Sequence, residues 1–391
     1  MIEQITFAIL GIIAGTITGL IPGIHSNTIA IASLHLPLQN PQGLAIFIVT
    51  MSITNSIVDS IPSIFLGAPS EESSINLLPG HRMLLAGRGL EALSLCTFSS
   101  LCTSLFSLLL LPIFFIMATN YTEELNSVIP SLIALTTILM LLHEKNKIAA
   151  LIVIALSASL GVVALGAGIS DPLFALISGF FGFSSLAESI FSKTKIPIQK
   201  KQRARKEKLQ SGFLPAAISG ALALFPGIGP AQAATIAGAV FSKRLSGKGY
   251  LMLTSGVNSA NLLVGILMLF ALEKSRTGMA ASIAQIIELD STTLFILLAA
   301  AISAVGFACA IVEILAKPSI ALLQKINYPL ASAGIAIFLI CLVTLFCGPL
   351  GLLASISACA IGIFGINSKV QRSQCMAFLL LPTFLIYLGI A

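Results

Sequence analysis

Long apolar stretches follow one another along almost the whole chain, separated by short polar segments. Windows of about 20 apolar residues are long enough to cross a hydrocarbon core of about 30 Å as helices. The pattern therefore predicts an all-α polytopic membrane protein. The plain windows are residues 43–66, 93–118, 128–143, 147–168 and 170–192 in the first half, and 249–272, 292–316, 329–347, 348–366 and 376–391 in the second.

Two longer apolar stretches, residues 5–31 and 212–241, are each interrupted by a Pro-Gly pair. The sequence Leu-Ile-Pro-Gly-Ile at 20–24 recurs as Leu-Phe-Pro-Gly-Ile at 224–228. In hydrocarbon, the backbone groups freed by such a break must find partners inside the protein. Paired breaks at matching positions of two halves are typical of transporter binding sites. Each stretch could be a re-entrant hairpin of two half-helices or a single kinked span.

The distribution of basic residues favours hairpins. If both stretches are single spans, one side of the membrane receives 14 of the 21 Lys and Arg residues. If both are re-entrant hairpins, 19 of the 21 lie in loops on one side. Cytoplasmic loops carry the excess of positive charge. The hairpin arrangement therefore predicts basic loops in the cytoplasm, both chain termini outside, and a location in the inner (cytoplasmic) membrane.

Each half then consists of one hairpin and about five spans. Because five is odd, the two halves have opposite orientations in the membrane, as inverted-topology repeats. We expect the first repeat at residues 1–192, a basic cytoplasmic linker at 193–210 and the second repeat at 211–391. Such repeats commonly place the substrate at their interface near the bilayer midplane.

Composition agrees with a membrane protein, since 57% of the residues are hydrophobic and 9% are charged. The net charge of +6 is concentrated in the linker, which holds eight Lys and Arg residues. We interpret this segment as a topology signal or a contact for anionic lipid headgroups, and expect no nucleic-acid partner. The seven cysteines form no CxxC pair, so neither a metal cage nor a disulfide framework is predicted.

The hairpin tips are the first candidate substrate site. Proline and small polar residues after a break suit the start of a new helix, whose free N–H groups and partial positive charge favour an anion. Two such termini meeting at the midplane would hold a carboxylate or a phosphate. The residues concerned are Pro22, Gly23, His25, Ser26, Asn27 and Thr28 in the first tip, and Pro226, Gly227, Gly229 and Gln232 in the second.

A second repeated element follows each hairpin at nearly the same offset. Asn55-Ser56 in the first half matches Asn258-Ser259 in the second, with Asn261 one turn further along. We expect these polar side chains to hydrogen-bond the substrate from the neighbouring spans.

Coupling to an ion gradient would require a titratable or charged group within the membrane. Asp59 lies one turn after Asn55, so Asn55, Asp59 and Ser63 share a helix face. An acid at this depth is costly and is usually functional. Asp59 or His25 is therefore the candidate group for coupling Na+ or H+; no other cofactor is expected. Glu188 and Glu313 lie near predicted span ends and could simply form local pairs.

Sequence motifs for several enzyme classes are missing. There is no GxxxxGK[ST] loop for ATP hydrolysis, and no HExxH or GxSxG motif. We therefore predict a secondary carrier with alternating access rather than an enzyme. A flippase for polyprenyl phosphates could use the same pair of hairpins, and is the main alternative. A non-transporting scaffold or an intramembrane enzyme would leave the paired hairpins unexplained.

The chain resembles a divergent member of the TctA family, the large membrane subunit of tripartite tricarboxylate transporters. The resemblance rests on FPGIGPAQAATIAGAVFSKRLSGKGY at 225–250, SGVNSANLL at 255–263 and SIPSIFLGAPSEESSINLLPGHRMLLAGRGLEAL at 60–93. It implies ion-coupled uptake of small di- or tricarboxylates. It also implies work with a small membrane subunit and an extracytoplasmic binding protein. Two copies could in addition pair as a homodimer.

Overall fold

The described part of the chain is entirely helical. A computed structural model describes residues 2–21, 30, 33–34, 40–66, 77–142, 144–192, 197–199, 217–218, 247–273, 275, 277–323 and 328–389. Within these ranges every regular element is a helix and there is no strand. The predicted all-α class is confirmed.

The first half contributes nine α-helices and one π-helix within the described residues. They are α1 (Ile2–Leu20), α2 (Pro41–Val58), α3 (Ser60–Leu66), α4 (Leu77–Leu85), α5 (Gly89–Asn120), α6 (Thr122–Leu142), α7 (Lys147–Gly166), α8 (Pro172–Ile177), the π-helix Ser178–Phe183 and α9 (Ser184–Ser192).

The second half contributes five further α-helices where the structure describes it. They are α10 (Gly247–Leu272), α11 (Gly278–Ala284), α12 (Ser291–Leu323), α13 (Tyr328–Asn367) and α14 (Ala377–Tyr387), with a 3-10 helix at Arg372–Met376 before α14. Gly348 interrupts α13 with a φ of 67°, a conformation that favours glycine. The two arms of α13 run in opposite directions along α8 and α9, and the boundary between them coincides with that between the windows 329–347 and 348–366.

Seven helical stretches of the described chain are long and apolar enough to cross a membrane. They lie in α1, in α2 continued through α3, and in α5, α7, α10, α12 and α13. The protein is therefore a multi-pass membrane protein, as predicted.

Several helices begin at a side-chain cap. Asn40 accepts a hydrogen bond from the backbone N–H of Gly43 (2.8 Å), and Asp171 accepts one from Phe174 (3.0 Å). Asp290 caps α12 in the same way, and hydrogen bonds from the Thr293 side chain and backbone hold the pKa of Asp290 below its usual value. Such caps satisfy N–H groups that a helix start leaves unpaired.

The helices divide into two bundles with separate hydrophobic cores. One large core joins α1 to α5 with α10, α11 and α12, and we refer to these helices as the first bundle. Smaller cores join α6 to α9 with α13 and α14, which form the second bundle. Both halves of the sequence contribute helices to both bundles.

A seam of three glycines joins α1 to α2. Gly11, Gly15 and Gly19 are all buried and lie one turn apart. They contact successively later turns of α2, from Phe47 to Val58, so the two helices run parallel. Small residues at this spacing allow close helix packing in membranes. Because α1 and α2 are parallel, the chain must return to the starting end of α1 before α2 begins.

The halves also exchange helices in a reciprocal way. Helix α2 packs along α12, and α10 packs along α5. In each pair, the first full helix after a predicted hairpin contacts the long helix of the other half. This exchange brings the last turn of α2, at Ser56, close to the middle of α10, at Asn258.

Three basic segments meet at one end of the first bundle, which we call the basic end. Glu91 at the start of α5 forms ion pairs with Arg88 (2.7 Å) and with Lys248 at the start of α10 (2.6 Å). Gln199, from the basic linker, accepts a hydrogen bond from the Gly89 N–H (2.8 Å). The linker and the starts of α5 and α10 therefore share one side of the bundle.

The glycine seam gives a direct test of the α1–α2 packing. An added Cβ at Gly15 would lie 2.8 Å from the Cβ of Thr54, so Gly15→Leu should force the helices apart. Overpacking of this kind typically costs about 1–3 kcal/mol. We expect a lower Tm in detergent and less monodisperse protein on size-exclusion chromatography. Gly306→Leu on α12, where an added side chain meets open space, is the matched control and should change neither quantity.

Candidate functional site

A polar cavity lies inside the first bundle, where α2 and α3 approach α5 and α10. The volume that the centre of a water-sized sphere can occupy in it is about 20 Å³. We call it the serine cavity. Its lining residues are Ser56, Ile57, Ser60, Ser63, Ile64, Cys96, Ser100, Ser255, Asn258 and Ser259. A space of this size holds about one water molecule, so a larger solute could enter only if the helices around it moved apart.

The repeated dipeptides of the two halves meet in this cavity. The Asn258 amide nitrogen donates a hydrogen bond to the Ser56 hydroxyl across the interface between α10 and α2 (2.7 Å). Ser259 also lines the cavity. Both partners of the hydrogen bond are buried, and Asn258 is 4% exposed. Three of the residues expected to bind substrate therefore lie together.

The amide oxygen of Asn258 has no hydrogen-bond partner although it is buried. An unpaired buried acceptor costs about 1–3 kcal/mol. The oxygen belongs to a residue that lines the serine cavity, so a solute in that space could supply the missing interaction.

Asn55 and Asn261 take other positions. The Asn55 amide donates to the Thr18 hydroxyl on α1 (2.9 Å), next to the glycine seam. Asn261 is buried in α10 but is not among the residues that line the cavity. Asn55 therefore connects the first helix of the chain to α2 rather than facing the serine cavity.

Asp59 occupies the junction between α2 and α3 and is 5% exposed. Its carboxylate accepts a hydrogen bond from the Ser63 hydroxyl (3.2 Å). Ser63 lines the cavity and Asp59 does not, so the Ser63 side chain lies between the Asp59 carboxylate and the cavity. The one-turn spacing of Asp59 and Ser63 seen in the sequence therefore produces a direct contact.

The hydroxyl protons of four lining serines are directed to acceptors within the protein. Ser60 donates to the carbonyl of Ile57 (2.7 Å), and Ser63 donates to Asp59. Ser100 and Ser259 both donate to the carbonyl of Ser255, at 3.4 and 3.3 Å. A serine hydroxyl has one proton and two lone pairs. Ser60, Ser100 and Ser259 therefore have lone pairs that could accept hydrogen bonds in the cavity.

The predicted hairpin tips lie outside the described residues. Helix α1 ends at Leu20, two residues before the first Pro-Gly pair. The residues concerned are Pro22, Gly23, His25, Ser26, Asn27 and Thr28, and Pro226, Gly227, Gly229 and Gln232. Their role as an anion site stays a prediction.

Two further acids have local partners. Glu188 pairs with Arg372 in the second bundle (3.0 Å), and Glu313 accepts a hydrogen bond from Thr97 (3.1 Å). In the part of the chain that the structure describes, no group of three or more His, Cys, Asp or Glu side chains could hold a metal ion. The described cysteines are all free.

The contribution of α5 to the cavity was missed in the sequence. Cys96 and Ser100 lie one turn apart on α5 and both line the cavity. The available signal was the density of hydroxyl residues in the first half of this helix. Ser99, Ser100, Thr103, Ser104 and Ser107 are all buried within an otherwise apolar span. A hydroxyl-rich face on a membrane helix indicates contact with a polar interior.

Comparison with known proteins gives a consistent result. The family model described as "Tripartite tricarboxylate transporter TctA family" matches residues 5–377. The uncharacterized protein MJ1079 of Methanocaldococcus jannaschii is 28% identical, over 98% of this chain and 99% of its own length. No solved structure matches the chain.

The cross-half hydrogen bond can be measured by a double-mutant cycle. Ser56→Ala leaves the Asn258 amide nitrogen without its acceptor. Asn258→Ala removes the amide nitrogen and the amide oxygen together. We expect the double variant to be less destabilised than the sum of the two single changes, with a coupling of about 0.5–3 kcal/mol. Reversible unfolding in detergent provides the free energies.

Ser303→Ala replaces Ser56→Ala in the control cycle. The Ser303 hydroxyl donates to Ala299 within its own helix on an exposed face. It should therefore show no coupling to Asn258. Equal coupling in the two cycles would argue against a specific contact between α2 and α10.

Proposed function

Because the chain belongs to the tripartite tricarboxylate transporter TctA family, we propose that it is an ion-coupled secondary transporter of small organic anions. Transport is the activity of this family, and the multi-pass helical fold agrees with it. Di- and tricarboxylates are the proposed substrates. The single observation that carries this proposal is the polar cavity between the two halves of the chain, deep within a membrane-embedded bundle.

The packing supports an inverted repeat for residues 1–192 and 211–391. Parallel α1 and α2 need a returning segment between them, which is the connection that a hairpin provides. The reciprocal pairs α2–α12 and α10–α5 are what two copies related by a two-fold axis would form. By the charge rule, the basic end faces the cytoplasm and both termini lie outside, in the inner (cytoplasmic) membrane of the cell.

The substrate would bind where the two halves meet. The hairpin tips would present half-helix N-termini to the carboxylates, since such termini favour anions. Asp59 or His25 would couple transport to a cation or a proton. Alternating access would then expose this region to each side of the membrane in turn.

The proposed partners follow from the tripartite organisation of the family. A small membrane subunit would lie beside this chain in the bilayer. An extracytoplasmic binding protein would deliver the organic anion to the end opposite the basic end.

A ligand screen on the purified protein tests the substrate class. Citrate, succinate and a short-chain polyprenyl phosphate would be compared, each with and without sodium. A ligand that binds only the folded state stabilises it by about 2.7 kcal/mol at 100 times its Kd. We expect citrate or succinate to raise the Tm, and Gly23→Leu and Gly227→Leu to abolish both this shift and uptake into proteoliposomes.

Gly306→Leu is the matched control and should keep the shift and the uptake, while all three variants should insert into the membrane. Stabilisation by the polyprenyl phosphate alone would contradict the carboxylate assignment in favour of a lipid flippase. Normal uptake by both hairpin variants would rule out the hairpin tips as the anion site.

A further inference from the structure

We propose that α4 is a lid over the serine cavity at the basic end of the first bundle, and that Gln199 of the linker is the latch that holds this lid closed. The lid is inferred from geometry alone. It goes beyond the proposed function, because it identifies the helix that moves when the cavity opens towards the basic end, whatever the solute is.

The cavity lies close to the basic end. Helices α5 and α10 both begin at that end, where Glu91 and Lys248 form their ion pair (2.6 Å). Cys96 is the first residue of α5 that lines the cavity, and it lies five positions after Glu91. A helix rises 1.5 Å per residue, so this separation is about 8 Å along the axis. About one and a half turns of α5 therefore lie between the cavity and the basic end.

Helix α4 packs against the cavity walls on this side. An added Cβ at Gly80 would lie 2.8 Å from Cγ1 of Ile64 and 3.6 Å from Cδ1 of Leu251. The Nδ1 atom of His81 lies 3.0 Å from the carbonyl oxygen of Ile64. Ile64 lines the cavity, and Leu251 lies one turn before Ser255, which also lines it. Helix α4 therefore bridges α3 and α10 at the end of the cavity that is nearest to the basic end.

The position of α4 depends on its contacts with the rest of the bundle. Met83 and Leu84 are buried in the core of the first bundle, whereas Arg82 between them and the surface is exposed. Helix α4 has nine residues. A helix of this length is not stable by itself in water and relies on tertiary packing. The contacts at its ends therefore decide whether it stays over the cavity.

Gln199 supplies such a contact from the linker. Its side-chain nitrogen donates to the carbonyl of Leu84 in the last turn of α4 (3.0 Å), and its side-chain oxygen accepts from the N–H of Gly89 at the start of α5 (2.8 Å). Arg88, the residue before α5, makes no side-chain cap. A linker residue therefore takes the place of a local cap and ties the end of α4 to the start of α5.

The closed lid accounts for the small size of the cavity. With α4 in contact with Ile64 and Leu251, the space inside holds about one water molecule. The Arg88 and Lys248 side chains that pair with Glu91 beside the latch are 37% and 38% exposed. Ion pairs of exposed cations contribute little to stability. Movement of α4 away from α3 and α10 would therefore open the cavity without breaking a strongly held contact at this end.

Chemical modification of Cys96 measures lid opening without any substrate. In protein whose sole cysteine is Cys96, a membrane-impermeant methanethiosulfonate reagent would be applied to vesicles of both orientations. A separate sample in which trypsin cuts the linker identifies the orientation that exposes the basic end. Loss of one hydrogen bond shifts an opening equilibrium about 2- to 10-fold. We expect Gln199→Ala, which loses two, to speed modification from the basic end by at least that factor.

Gln4→Ala is the matched control. It removes a glutamine whose side chain donates a hydrogen bond to Gln42 (3.1 Å), where α1 and α2 begin at the opposite end of the bundle. It should leave the rate of Cys96 modification from the basic end unchanged.

Gly80→Leu tests the lid independently of the linker. The added side chain would displace α4 from Ile64 and should also speed Cys96 modification from the basic end. Unchanged rates in both Gln199→Ala and Gly80→Leu would overturn the proposal. An equal rise from both sides of the membrane would overturn it too, because that result reports loosening of the whole bundle. A rise confined to the basic end, without stabilisation by any carboxylate, would keep the lid and reject the proposed substrate.

Discussion

The fold depends on one constraint, which is that a polar group inside a membrane protein must find its partner within the protein. Most of the described hydroxyl and amide groups obey it through caps, bonds to the preceding helical turn, or contacts such as Asn55 with Thr18. Among the residues that the structure describes, eight buried side-chain atoms have no hydrogen-bond partner, and six of them lie in the first bundle, which contains the serine cavity. They belong to Ser52, Thr54, Thr103, Ser104, Ser107 and Asn258. Under the proposed function, this bundle is the polar interior through which a solute would pass.

The two separate hydrophobic cores show which helices surround the polar cavity and which do not. The cavity lies wholly within the first bundle, between one pair of helices formed by α2 and α12 and another formed by α5 and α10. The contact between Ser56 and Asn258 joins these pairs across the cavity. Under the proposed function, a solute would bind where the two halves of the chain meet, while α13 and α14 with α6 to α9 form a separately packed support. Both halves of the chain contribute helices to each bundle.

Much of this arrangement could be predicted from the sequence. Apolar windows located the helices, and the boundary between windows 329–347 and 348–366 falls at Gly348, where α13 is interrupted. The repeated dipeptides, Asn55-Ser56 and Asn258-Ser259, predicted polar residues near a shared site, and Ser56, Asn258 and Ser259 do line one cavity. The contact of the Asn55 side chain with α1 could not be predicted from the sequence. It depends on the glycine seam, which brings Thr18 on α1 next to α2. The cavity serines of α5 were missed for a similar reason, since the face that α5 presents is set by its packing against α10.

Accessibility of the cavity from each side of the membrane tests the account most directly. Cys96 lines the cavity and can act as the reporter once the other six cysteines are replaced. A membrane-impermeant methanethiosulfonate reagent would be applied to right-side-out and to inside-out vesicles. Alternating access predicts that Cys96 is labelled in both preparations. Labelling in only one preparation, or in neither, would contradict the proposal that the substrate passes through this cavity.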